Sequence, residues 1–263
     1  MNRLEELKEK ALQGDVMNSD PIWASIEHNS EAIALMFKLS ENTKSSTRSI
    51  AISCLNDIEN DPKVIQKMLN VLTDPVEDIR HTAVTYLNFN NSVAIVPQLI
   101  PHLDNSDTIV RGEIALILGN IKDPQALLAL KERSKKEPAL SVQKNIMLAR
   151  AKLGDKEMKE KIVKQLSIND SQIRFHTLED LKYVDDKALA WYFLPALDDK
   201  GNTYMISDLG REPVKHMFVC DLASDMVAAW YPGAFSFQAN EHRNFSKEEI
   251  EQVKKFVSSL KKP

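Results

Sequence analysis

A chain of 263 residues with 43% hydrophobic content carries enough apolar side chain for a continuous core. Its seven glycines are too few for a turn-rich β protein or for glycine-built phosphate loops. A formal net charge of −4, with a pI near 5.9, excludes a strong global attraction to nucleic acid.

The opening segment MNRLEELKEKALQGD predicts a charged amphipathic helix without the apolar stretch of a secretory signal. No run approaches the roughly 18 apolar residues of a membrane span. The two cysteines, Cys54 and Cys220, are too few and too distant in sequence for a disulfide framework or a metal pair. A cytoplasmic protein without membrane attachment is therefore expected, and a monomer. Residues 1–29 should cap the N-terminal end, with a short helix opening at Asp20-Pro21 whose Trp23 and Ile26 are buried against the first repeat.

From there two columns of residues recur together. Helix-start residues stand at Ser30, Asp61, Ser92, Asp123, Asp155 and Asp186, at intervals of 31 or 32. Asp61 and Asp123 are followed by Pro62 and Pro124, a capping acceptor ahead of a residue that needs no N–H in the first turn. The second column is Arg48, Arg80, Arg111, Gln143, Arg174 and Lys215. Three and four residues after each lie Ala51/Ile52, Ala83/Val84, Ile114/Ala115, Ile146/Met147, Thr177/Leu178 and Phe218/Val219. Seven residues after lie Leu55, Leu87, Leu118, Leu181 and Leu222, with Arg150 the exception. These offsets share one helix face, the buried stripe of a second helix in every unit. One hairpin of this size cannot bury its apolar face alone, so neighbours must stack.

Segments such as AIVPQLIPHLDNSDTIVRGEIALILGNIKD and LNVLTDPVEDIRHTAVTYL resemble HEAT repeats, in particular the short bacterial kind related to phycobilisome-lyase HEAT-like repeats. The resemblance rests on Pro97, Pro101 and Pro195 in first helices, the acidic inter-helix turn, and the Val/Ile-Arg pair opening second helices. It spans roughly residues 20 to 230. It implies an all-α fold, a right-handed α-α superhelix of about six HEAT-type hairpins with caps at both ends, the second helices lining the concave side. It also implies that turn acids and second-helix arginines pair between neighbouring repeats as a ladder. Asp74 with Arg80 matches, Asn105 with Arg111 matches less well in type, and Gln143 interrupts it.

One solenoid over residues 1–263 is expected: a cap at 1–29, six repeats over 30–229 with an insertion at 198–212, and an aromatic segment with a capping helix over 230–263. Thirteen of the seventeen aromatic residues lie from Phe175 onward. Ser246 with Glu249 forms a capping box ahead of a helix at 247–260.

No residue set predicts catalysis, a cofactor or a metal site. The six histidines lack ligand spacing and no His-Glu dipeptide occurs. Neither a G-x-S-x-G elbow nor a Walker loop is present. The expected function is a non-enzymatic scaffold or adaptor that binds a protein or peptide on its second-helix face. The residues one, five and eight after the arginine column give His81, Thr85 and Asn88, then Leu116 between Gly112 and Gly119, then Phe175, Glu179 and Lys182, then His216. Small Gly112 and Gly119 would admit a partner's backbone. Tyr204, Asp208 and Arg211 on the insertion are further candidates.

The alternative is a nucleic-acid-handling protein or a repeat-built enzyme of lyase or glycosylase type. It would use the stretch Lys122–Lys164, with 12 basic against 6 acidic residues. Lys131, Arg133, Lys135, Lys136, Lys144, Arg150 and Lys152 would be its phosphate contacts. That stretch contains no aromatic residue for base stacking, and its charges read instead as a solvated outer face.

Overall fold

The computed structural model describes residues 3–13, 23, 29–206, 215–239 and 243–263. The chain divides into two compact units, residues 1–149 and 150–263.

The first unit opens with α1 (Arg3–Gln13), which buries Leu7 and Ala11. Its last carbonyls, of Leu12 and Gln13, accept from the Lys44 ammonium at 3.0 and 3.1 Å, a cation satisfying a helix C-terminus. Trp23 is fully buried and donates its indole N–H to Asp57 at 2.9 Å. Ile26 lies outside the described residues.

Helix pairs follow in the predicted order: α2 (Ser30–Leu39) with α3 (Ser45–Leu55), and α4 (Pro62–Asn70) with α5 (Glu77–Asn88). The third pair starts as a 3-10 turn at Val93–Ile95, passes through α6 (Val96–Leu99) and a second 3-10 segment at Ile100–Asp104, then packs on α7 (Thr108–Ile121). Pro97 and Pro101 explain the broken first helix, since each removes a backbone donor. The fourth pair is α8 (Pro124–Ser134) and α9 (Leu140–Lys152).

Asp61 and Asp123 cap their helices as read, with the proline in the first turn. At the first repeat the cap is Asn29, not Ser30: its Oδ1 accepts from the N–H groups of Glu31 and Ala32. The predicted stripe is buried in the first three second helices, where Ala51, Ile52, Leu55, Ala83, Val84, Leu87, Ile114, Ala115 and Leu118 are nearly or wholly inaccessible.

The second unit contains α10 (Lys156–Lys164) with α11 (Ser171–Val184), whose Leu178 and Leu181 are buried. A 3-10 segment at Lys187–Phe193 leads into α12 (Leu194–Leu197). The sequence places the next helix around Lys215, but Lys215–Phe218 is a strand, β2, paired antiparallel with β1 (Asn202–Ile206). The second helix of this repeat is α13 (Val219–Trp230), and its first turn is fixed by Asp221, which accepts from the Phe218 N–H. The extended register Asn202↔Phe218, Met205↔His216, Ile206↔Lys215 displaces the helix start beyond the position that a 31-residue repeat requires. Among the described residues the fold remains all-α with this one ribbon added.

The last helix, α14 (Lys247–Ser259), starts at Ser246 with the predicted capping box to Glu249. Between α13 and α14 the aromatic rings meet each other: Tyr231 and Phe235 each against Phe256, Phe235 on Phe237, and Phe237 against Phe245. Buried Asp221 ties this segment down, accepting from the Phe245 N–H at 2.9 Å and the Asn244 amide at 2.6 Å. These contacts cover the end of the last repeat.

Candidate functional site

The turn between the two helices of a repeat carries a column the chemistry obscures: Asn42, Asp74, Asn105, Glu137, Ile168 and Asp199. Every polar member takes the backbone N–H two residues on, at 2.8 to 2.9 Å. Six residues after the first four members stand Arg48, Arg80, Arg111 and Gln143, and each donates back to the turn carbonyl. The carboxylate rungs run the other way, to the following repeat. Arg48 grips Asp74 at 3.0 and 3.1 Å, Arg80 reaches Asp107, and Arg111 reaches Glu137. Arg80 meets Asp74 through its carbonyl, and its ion pair is made to Asp107 of the neighbouring repeat, as a ladder between repeats requires. In the second unit Arg174 pairs with Asp199 at 2.6 Å, while Ser171 donates to the other oxygen. Gln143 is the uncharged member of the arginine column and Ile168 the apolar member of the turn column, one in each unit.

Glu137 is the most enclosed rung. Burial would push its carboxyl up, but hydrogen bonds from Arg111, the Ala139 N–H and Arg133, with the Arg111 charge, hold it at about 2. At Asp74, Asp107 and Asp199 burial is likewise outweighed by the paired arginine and backbone donors, so all three are lowered. The paired guanidinium groups thus favour the ionised form of all four carboxylates.

The second-helix face of the first unit carries Thr85 and Asn88, both exposed on α5, and half-buried Leu116 at the equivalent position of α7. His81 begins this face, and its buried Nε2 makes no hydrogen bond, 3.4 Å from Asp107. Gly112 and Gly119 do not open the face. Both are buried, and a Cβ at Gly112 would lie 2.8 Å from the Asn145 amide, so α9, the second helix of the next repeat, occupies that space. In the second unit Glu179 and Lys182 are exposed on α11, but Phe175 is buried and tilts against the His176 ring at 5.3 Å, which removes it from any docking face. His216 and Tyr204 stand in the two strands rather than on a helix and a loop, and only their backbone is described. Asp208 and Arg211 lie outside the described residues.

The basic stretch is largely spent on internal pairs. Arg133 binds buried Glu137 and also Asp104, which Lys136 reaches as well. Arg150 pairs with Asp155 at 2.8 Å, and Lys152 donates to the Tyr183 carbonyl above that residue's ring.

The loops that join one repeat to the next hold a feature the columns did not single out. Asn56, Asp57, Glu59, Asn60, Tyr86, Phe89 and Asn90 line a depression of about 490 Å³. Phe89 is 80% exposed. Its position directly after Asn88, at a helix end, was the available signal.

Antiparallel helix pairs stacked by a buried stripe and an arginine ladder define an α-helical repeat protein. Residues 65–149 match the family described as HEAT repeats. The structure of the CpcE–CpcF complex of phycocyanin lyase from Nostoc sp. PCC7120 is similar in fold, with a TM-score of 0.50 and 17% identity over 96% of this chain and 94% of that one. Human deoxyhypusine hydroxylase in complex with glycerol aligns with a TM-score of 0.40 and 14% identity over 92% and 99%. No curated protein matches the sequence.

Proposed function

We propose that this chain is a HEAT-repeat scaffold that binds a protein or peptide partner on its second-helix face, through Thr85, Asn88 and Leu116 in the first unit. The observation that supports this is the contrast on α5. Ala83, Val84 and Leu87 are buried while Thr85 and Asn88 point away from the core, giving a rigid polar face beside an apolar residue. Glu179 and Lys182 are the corresponding exposed positions of the second unit. The solved Nostoc structure is itself a complex of two proteins, which is compatible with this reading.

Affinity purification from the native host, with Thr85→Arg and Leu116→Arg as paired controls, tests it. A protein retained by the parent chain and lost from both folded variants is the expected result. Equal recovery with all three, or retention of a small molecule alone, contradicts the proposal.

A further inference from the structure

The depression beside Phe89 has a composition unlike the rest of the surface. Its lining holds two carboxylates, Asp57 and Glu59, three asparagines, Tyr86 and Phe89, and no basic residue. Its walls are fixed from within. Tyr86 is buried and donates its phenol to the Ile58 carbonyl at 2.9 Å. Asn60 takes the left-handed conformation, φ 57°, that closes the loop between α3 and α4. Asn90 is buried and accepts from the Ser92 N–H. Burial raises the Tyr86 phenol, and the negative charges of Asp61 and Glu59 raise it further, so the field at this wall favours a cation. Against these fixed walls Phe89 presents an open ring to solvent.

An aromatic face beside carboxylates matches a guanidinium, which stacks on a ring while donating to oxygen in its own plane. A volume of about 490 Å³ exceeds one such side chain and leaves room for an adjoining apolar residue. We infer that this depression is a second docking point, separate from the Thr85 face, for a peptide segment carrying an arginine next to an aliphatic residue. The arginine lies on Phe89 with its head toward Glu59 and the Asp57 carboxylate, one oxygen of which already holds the Trp23 indole, and the aliphatic neighbour rests against the Tyr86 wall. The inference rests on the protein-binding reading above but uses different residues.

The test is a titration of the ¹⁵N-labelled full chain with the pentapeptide acetyl-Gly-Leu-Arg-Leu-Gly-amide, followed by amide shifts. Saturable shifts confined to residues 56–60 and 86–90 are expected. Replacing the arginine with isosteric, neutral citrulline should weaken binding at least about fivefold. Phe89→Ala and Glu59→Gln, both exposed substitutions, should each weaken it about threefold or more with the remaining spectrum unchanged. Absence of saturable shifts, equal binding of the citrulline peptide, or undiminished affinity in Phe89→Ala overturns the inference. Free arginine amide binding as tightly as the peptide overturns the peptide assignment. Because the probe is defined, this result is independent of whether a native partner is captured through Thr85 and Leu116.

Discussion

Arg111 and Glu137 belong to successive repeats and face each other through two hydrogen bonds of 2.9 and 3.0 Å, with both side chains almost wholly removed from water. Arg133 shares the same carboxylate, so one buried acid answers two guanidinium groups. The geometry makes this seam sensitive to loss of either sign of charge. Glu137→Leu should destabilise the chain by about 3 to 5 kcal/mol, because Arg111 is left buried without a counter-charge. Adding Arg111→Met should recover at least half of that loss. Urea denaturation of both variants checks the cycle, and a double variant less stable than Glu137→Leu would show that the pair does not act as a unit.

The same residue sets an acid limit. Its folded pKa, about 2, lies below the ordinary 4.5, so its contribution is complete above the unfolded value and is lost as pH falls toward 2. Asp74, Asp107 and Asp199 are lowered too and add to the same loss. Thermal melts should therefore drop between about pH 4.5 and 2, with roughly 2 to 3 kcal/mol traceable to Glu137. In Glu137→Gln this step should shrink; an unchanged pH profile would remove Glu137 as its source.

Gly201 is required by a close approach rather than by its backbone angle. A Cβ there would stand 2.0 Å from the Ser171 hydroxyl and 2.3 Å from its Cβ, where Ser171 donates to the Asp199 rung. Gly201→Ala should cost the second unit roughly 2 kcal/mol. Ser171→Gly in the same chain should restore part of it, although the hydrogen bond to Asp199 is gone. Limited proteolysis that maps cleavage to residues beyond 150 would follow the effect.

Leu87 is wholly buried in the stripe that joins the repeats. Leu87→Asp places a carboxylate among apolar side chains and should abolish cooperative unfolding of the first unit. An unaltered melt would show that the stripe is assigned to the wrong register.

The helix starts were legible where the chemistry was explicit. Asp61-Pro62 and Asp123-Pro124 announce a cap and a first turn without reference to anything distant. The buried stripe was legible because three offsets repeat in every unit. Ser30 was misread because Asn29 is an equally good acceptor one residue earlier, and spacing alone cannot separate them. The arginine ladder between neighbouring repeats was legible from its residue types, but not its exact rungs: Arg80 takes Asp107, two residues past the turn Asn105, and Arg111 takes Glu137. Phe175 and the two glycines show the same limit. Helical offset states which way a side chain points, whereas the packing of α9 on Gly112 depends on the neighbouring helix. Lys215 stands 41 residues after Arg174, an excess that reads as an inserted loop because the ribbon pairing Asn202 with Phe218 leaves no trace in a helical period. Phe89 went unnoticed because an aromatic at a helix end carries no periodic signature.

A photo-cross-linking amino acid placed in turn at Asn88 and at Leu128, which is exposed on a first helix, tests the binding surface most directly. In native-host lysate, Asn88 should yield one reproducible protein adduct, absent when Thr85→Arg is added, and Leu128 should yield none. An adduct at Leu128 with none at Asn88, or an Asn88 adduct indifferent to Thr85→Arg, would contradict partner binding on the second-helix face.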